Sequence, residues 1–230
     1  MKQILTTGII LSRTDFGEAD RILTVLTPDR GKLRLMARGV RRVKSKLAGG
    51  IELFSTSHLT YIEGRGEIGT LVSTRLIRHY GGIIRDIDRV QLGYELIKQL
   101  NRATEDQPEP AYYALLEQTF GLLDDPAQEA RLIRLLFEAR LLRLAGHAPN
   151  LTTDSTGQKL AAGQSYNFDF DAMAFTPRPA GKFTADHIKA LRLFFSDHSL
   201  REVAKVQGIT DLLDVLAPLV RTMLQSFVRV

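Results

Sequence analysis

The spacing of apolar residues changes near residue 82, and that change constrains the fold more than any other feature of the chain. Up to about residue 80 the apolar positions fall into short segments with alternating parity, at 4–11, 21–27, 32–37, 54–62 and 67–73. Alternation puts successive side chains on opposite faces of a strand, so one face is buried and the other meets water. Thr27-Pro28-Asp29-Arg30-Gly31 joins the second and third segments. Pro fixes φ and Gly permits positive φ, which makes this a hairpin signal. Gly49-Gly50 and Gly64-Arg65-Gly66 punctuate the rest. Five short strands in about 75 residues predict a small antiparallel barrel. An OB-type barrel fits the count and length, and an SH3-like barrel fits the pattern as well.

Beyond that point the period is helical. Ile83, Ile84, Ile87, Val90, Tyr94, Ile97 and Leu100 recur at steps of three and four, forming one apolar stripe. A second helix follows through Tyr112, Leu115, Leu116, Phe120 and Leu123. Asp125 as N-cap and Pro126 at the first helical position predict a third helix over 127–145, with Gly146 as its stop. Apolar residues on nearly all its sides mark a buried central helix. Residues 146–183 are irregular, with a short strand or hairpin expected within 165–176. Helices are then expected from Thr184, from Ser199 (with Glu202 completing a capping box) and from Thr210-Asp211. The expected fold class is α+β: an OB-fold β-barrel over 1–80, then an α-helical domain over 81–230 with a small irregular or β insertion at about 147–183.

Charge singles out one stretch. Arg30, Lys32, Arg34, Arg38, Arg41, Arg42, Lys44 and Lys46 fall within seventeen residues that contain no acid. Lys32, Arg34 and Arg38 share one parity with Met36, while Leu33, Leu35 and Ala37 share the other. A cationic strand face continuing into a basic loop suits a polyanion with regularly spaced phosphates. A solvated edge strand protected by its charges is the plainer alternative. Residues 1–80 carry 14 basic and 7 acidic residues, against 17 and 19 in the remainder. Such an asymmetry points to an anionic partner for the first part. A membrane surface fits less well, because no amphipathic helix accompanies the cations. The stretch contains no aromatic residue; Phe16, Phe54 and Tyr61 are the nearby ones, which favours a grip on backbone over base stacking.

Positive signals for catalysis are missing. The chain has no cysteine, so disulfides, thiolate metal sites and cysteine nucleophiles are excluded. The five histidines lack metal-motif spacing, and there is no G-x-S-x-G elbow or P-loop. Asp15, Glu18 and Asp20 in a turn, or Asp169 and Asp171 on one strand face, are weak metal candidates that read more simply as solvated carboxylates. Neither a signal peptide nor a run of about 20 apolar residues is present, so a cytoplasmic protein is expected. A second basic feature, Arg131, Arg134, Arg140 and Arg143, lies on the expected central helix. Its plain reading is snorkelling and pairing with acids such as Glu138. The functional one is a pocket for an acidic, hydrophobic peptide tail.

Several runs resemble a known family: 17–27 (GEADRILTVLT), Gly31-Lys32-Leu33, 37–42 (ARGVRR), Ser45-Lys46-Leu47, 51–54 (IELF), Gly64-Arg65-Gly66 and 144–151 (LAGHAPNL). Together they resemble the bacterial recombination mediators of the RecO family. The resemblance implies an OB-fold followed by a helical domain, binding of single- and double-stranded DNA, strand annealing, and loading of RecA with RecR onto strands covered by the single-stranded-DNA-binding protein SSB. It also implies a nucleoid-associated, non-enzymatic protein without cofactors, and capture of the acidic SSB tail by the helical domain. Many members carry a four-cysteine zinc site after the P-N-L signature. This chain has none there, so no metal is expected. The expected DNA-binding residues are Arg30, Lys32, Arg34, Arg38, Arg41, Arg42, Lys44, Lys46 and Arg65, with the four helix arginines as a partner site. The competing class is a protein-interaction adaptor whose basic barrel binds acidic proteins.

Overall fold

In the computed structural model, which describes residues 2–64, 66–104 and 108–227, the alternating segments form five strands. These are β1 (Gln3–Phe16), β2 (Asp20–Thr27), β3 (Gly31–Ala37), β4 (Ser55–Ile62) and β5 (Ile68–His79). They close into a barrel in the order β1-β2-β3-β5-β4, antiparallel throughout except where β3 meets β5. This is the OB arrangement. Inward residues of alternate parity, among them Ile10, Leu23, Val25, Leu35, Leu59 and Leu71, fill its core. The β2–β3 turn closes as expected: the Thr27 hydroxyl donates to the Gly31 carbonyl and accepts from the Arg30 amide.

Two helices extend this unit, α1 (Ile87–Ala103) and α2 (Pro110–Leu123). The apolar stripe from residue 83 begins as a 3-10 turn, Ile83–Arg85, because Asp86 interrupts it with an extended backbone and caps α1 through the amides of Asp88 and Arg89. Phe54 bolts the helices to the barrel. It is 3% exposed and meets Tyr94 and Phe120 edge-on, and its carbonyl accepts from the Tyr80 amide. Its φ of +54° is a strained value for a bulky residue, held by those contacts. Gly93 permits the approach, since a Cβ there would lie 2.5 Å from the Phe54 ring.

The compact units divide at Met1–Pro126 and Ala127–Val230. The barrel itself ends near residue 80, but α1 and α2 stay with it through Phe54, and Arg89 ties α1 to the end of α2. That buried guanidinium donates to the carbonyls of Leu123, Asp125 and Pro126. The same contacts correct the expected start of the third helix. Asp125 and Pro126 do not cap it; they form the turn that Arg89 clamps, and α3 (Ala130–Leu144) begins after Glu129.

In the second unit α3 is buried along most of its length, as its apolar sides require. It ends in a Schellman arrangement, with the Gly146 amide on the Arg143 carbonyl and the His147 amide on that of Leu142. A small sheet follows: β6 (Asn150–Asp154), β7 (Tyr166–Asp169) and β8 (Ala174–Pro177), in the order β6-β8-β7; of the strand or hairpin expected here, β7 and β8 form the hairpin. Then come α4 (Ala185–Phe194), α5 (Leu200–Ala204), capped by the Ser199/Glu202 box, and α6 (Leu213–Phe227). No helix among the described residues is long and apolar enough to cross a membrane.

Candidate nucleic-acid interface

The cations of 30–46 do not form one continuous face. On β3, Lys32 pairs across the ladder with Leu26, and Arg34 with Thr24. The Lys32 end of that face is covered. Its ammonium donates to the Asn101 carbonyl (3.0 Å), the Thr104 carbonyl (2.6 Å) and the Asn101 side-chain oxygen (3.5 Å), closing the C-terminal end of α1. Lys32 therefore leaves the expected DNA-binding set: its donors are already engaged. Arg34 stays exposed, 3.9 Å from the still more exposed Glu67, and Arg30 lies 3.7 Å from Asp29.

The loop after β3 is where free positive charge collects. Arg38, Arg42, Lys44 and Lys46 are exposed, and they have no ion-pair partner among the described residues. Val43, at the centre of the loop, is fully exposed. The loop is nonetheless held. The Arg41 amide donates to the Ala19 carbonyl, the Gly39 amide to the Asp20 carboxylate (2.7 Å), and the Arg41 guanidinium to the Gly17 carbonyl. Gly39 sits at φ +62°, a conformation that glycine takes without strain.

Asp15 completes the anchor. Its carboxylate accepts from Arg21 at 2.8 Å and lies 3.5 Å from Arg41. The Arg21 hydrogen bond, helped by Arg41 and Arg13, holds it below the usual carboxylate range, although burial opposes them. Two of the carboxylates weighed as metal candidates thus fasten the basic loop to the β1–β2 turn. Asp169 caps a turn through the amides of Asp171 and Ala172. Beside the fastened loop, Phe16 presents an aromatic ring that is 52% exposed, whereas Phe54 and Tyr61 are buried and inaccessible to a stacking base. Arg65 lies outside the described residues.

A model of the recombination protein O N-terminal domain matches residues 1–80, and one of its C-terminal domain matches 90–226. The chain belongs to the RecO family. It is 33% identical over 183 residues to a DNA repair protein RecO of Dehalococcoides mccartyi, covering 79% of this chain and 68% of that protein. A Halalkalibacterium halodurans RecO is 30% identical, over 82% of this chain and 76% of its own length. For a Rhodopirellula baltica RecO the figures are 32%, 62% and 53%, so the match spans only about half of that relative. Membership places the chain among proteins of DNA repair and recombination.

One expectation attached to RecO changes in the second unit. Two of the helix arginines are engaged within the fold. Buried Arg140 donates to the carbonyls of Leu193 and His198, and Arg143 to the Ser196 carbonyl and the Asp197 carboxylate, so both fasten the turn between α4 and α5. Arg134 faces buried Glu138 at 3.8 Å, and Arg131 pairs with Asp214 in the open. The plain reading of this cluster, internal pairing, is what the geometry supports.

The segment after the P-N-L signature is held by packing. The side chains of 150–183 do not fit a thiolate metal: the segment has no cysteine, and its buried acid, Asp154, accepts from the amides and hydroxyl of its own turn. An aromatic cluster lies at the centre of this packing. Phe175 packs edge-on against Tyr166, Phe168 and Phe183.

Sequence reasoning missed one exposed aromatic. Tyr94 belongs to the apolar stripe of α1, yet it is 48% exposed. Its place in the stripe concealed it; no sequence signal distinguishes it from Ile97 one turn later.

Proposed function

We propose that this RecO chain is a non-catalytic DNA-binding recombination mediator whose first unit grips the phosphodiester backbone through the loop 38–46. The observation carrying this reading is a loop with four exposed, unpaired cations fixed by hydrogen bonds to the β1–β2 turn of an OB barrel. In OB-folds that turn belongs to the nucleic-acid face. A loop whose backbone is already held loses little backbone freedom on meeting phosphates, and release of condensed counterions supplies the affinity. Binding led by the backbone is indifferent to sequence and tolerates both single and double strands, as strand annealing requires. Cooperation with RecR, and delivery of RecA to SSB-coated strands, belong to the same reading and are supported by family membership. Of the four helix arginines, Arg131 is the one most accessible to an acidic SSB tail, since its pair with Asp214 is exposed on both sides.

Charge is local here rather than general. Residues 81–126 hold 4 basic and 9 acidic residues, so the whole first unit carries 18 against 16. Binding must therefore be made at the loop, and a diffuse field over the unit will not serve. Replacing Arg38, Arg42, Lys44 and Lys46 together by Ala tests this. The slope of log affinity against log salt should flatten by about 0.7–0.9 for each phosphate that is no longer neutralised. An unchanged slope in a folded variant overturns the reading. Binding of an acidic peptide, with indifference to an oligonucleotide, would favour the adaptor instead.

A further inference from the structure

Between the outer surface of β1 and β2 and the face of α1 lies an open groove of about 610 Å³, lined by Arg13, Asp15, Arg21, Leu53, Tyr94 and Lys98. This volume falls in the range of sites for small organic ligands. We propose that the groove takes one nucleotide of a single strand, with its base against Tyr94 and its phosphate at Lys98 and Arg21. The proposal rests on the DNA-binding reading above and adds to it a place where a base, not only backbone, is contacted.

Three observations carry it. Tyr94 and Lys98 are four residues apart on one helix, so they stand one turn apart on the same face, about 5–6 Å between Cβ atoms. The Tyr94 ring is braced edge-on by Phe54 at 5.3 Å and remains half exposed, so it is a fixed platform with an accessible part. Lys98 has no partner among the described residues, which leaves its ammonium free to meet an anion.

Continuity with the basic loop adds to these. Asp15 touches both Arg21, which lines the groove, and Arg41, which belongs to the basic loop. Its negative charge is thereby neutralised on two sides. Arg13 is likewise paired, with Glu52 at 2.7 Å. Arg41 of the loop and Arg21 of the groove thus meet at one carboxylate, which joins the two places. A duplex keeps its bases stacked and paired, and so cannot place one there. The groove therefore accepts single strands alone, while the loop accepts both forms.

The test uses the full chain with an unstructured oligothymidylate, a duplex of equal length and an abasic deoxyribose-phosphate strand. Tyr94→Leu, which keeps an apolar contact with Phe54, should weaken oligothymidylate binding about tenfold, the scale of one base stacked on an aromatic. Duplex and abasic affinities should be unchanged, and Tyr94→Phe should bind like the parent. Lys98→Gln, on an exposed position, should flatten the single-strand salt slope by about 0.7 and carries the test if Tyr94→Leu fails to fold. Equal weakening of all three ligands by Tyr94→Leu, or no weakening of any, overturns the proposal. If the loop variant lowers affinity while Tyr94→Leu and Lys98→Gln do not, the groove alone is rejected; if the loop variant also has no effect, the DNA-binding reading fails with it.

Discussion

Lys32→Met separates a structural cation from a functional one. The substitution keeps the aliphatic stem and removes the ammonium, which donates to two carbonyls and a side-chain oxygen at the end of α1. A cation at a helix C-terminus contributes up to about 2 kcal/mol when partly buried. Hydrogen bonds to charged groups contribute about 1.5–3 kcal/mol, and the two figures describe the same interactions. The expected effect is about 2 kcal/mol, or about a 30-fold change in the equilibrium for opening that end of the helix. Hydrogen exchange reads this directly at the Thr104 amide, which donates to the Leu100 carbonyl at 3.0 Å. Its protection should fall by about that factor, while the salt dependence of DNA binding stays as in the parent. Unchanged protection, with a slope flattened by about 0.7–0.9, would refute the reasoning and return Lys32 to the DNA-binding set.

Two further predictions concern the anchor and the small sheet. The Asp15 carboxyl should titrate below its ordinary value by NMR, and Arg21→Gln should move it back up, because the Arg21 hydrogen bond is the largest cause of the shift. With its folded value depressed, Asp15 contributes stability that is present above about pH 4 and lost as pH falls through the folded value. The loop should thus stay fastened at neutral pH, and a carboxyl unmoved by Arg21→Gln would count against the anchor. Phe175→Ala should destabilise the second unit by about 3–5 kcal/mol, the usual cost for a fully buried aromatic. A chelator should leave the melting temperature of the parent unchanged; a drop would mean that a metal, and not the Tyr166–Phe175–Phe183 cluster, holds the segment.

Local chemistry was legible in the chain. Period-two alternation at 21–27 and 32–37, the Pro28–Gly31 turn, the Ser199/Glu202 box and the stop at Gly146 each involve residues within a few positions of one another, so their physics is complete in a short window. The same holds for the basic loop, which has no close sequence neighbour of opposite charge. What only the tertiary structure decided concerns partners remote in sequence. Lys32 is engaged by residues 69 and 72 positions away, and Arg140 by carbonyls 53 and 58 positions away. Asp125 and Pro126 form a turn and not a cap because Arg89 takes their carbonyls. Phe54 is withdrawn from stacking because Gly93 lets α1 close over its ring, while Tyr94 on the same helix stays half exposed. Sequence determined which residues are cationic or aromatic. Packing decided which of them remain free to meet a ligand, since a donor or a ring face already engaged within the fold cannot also serve outside it.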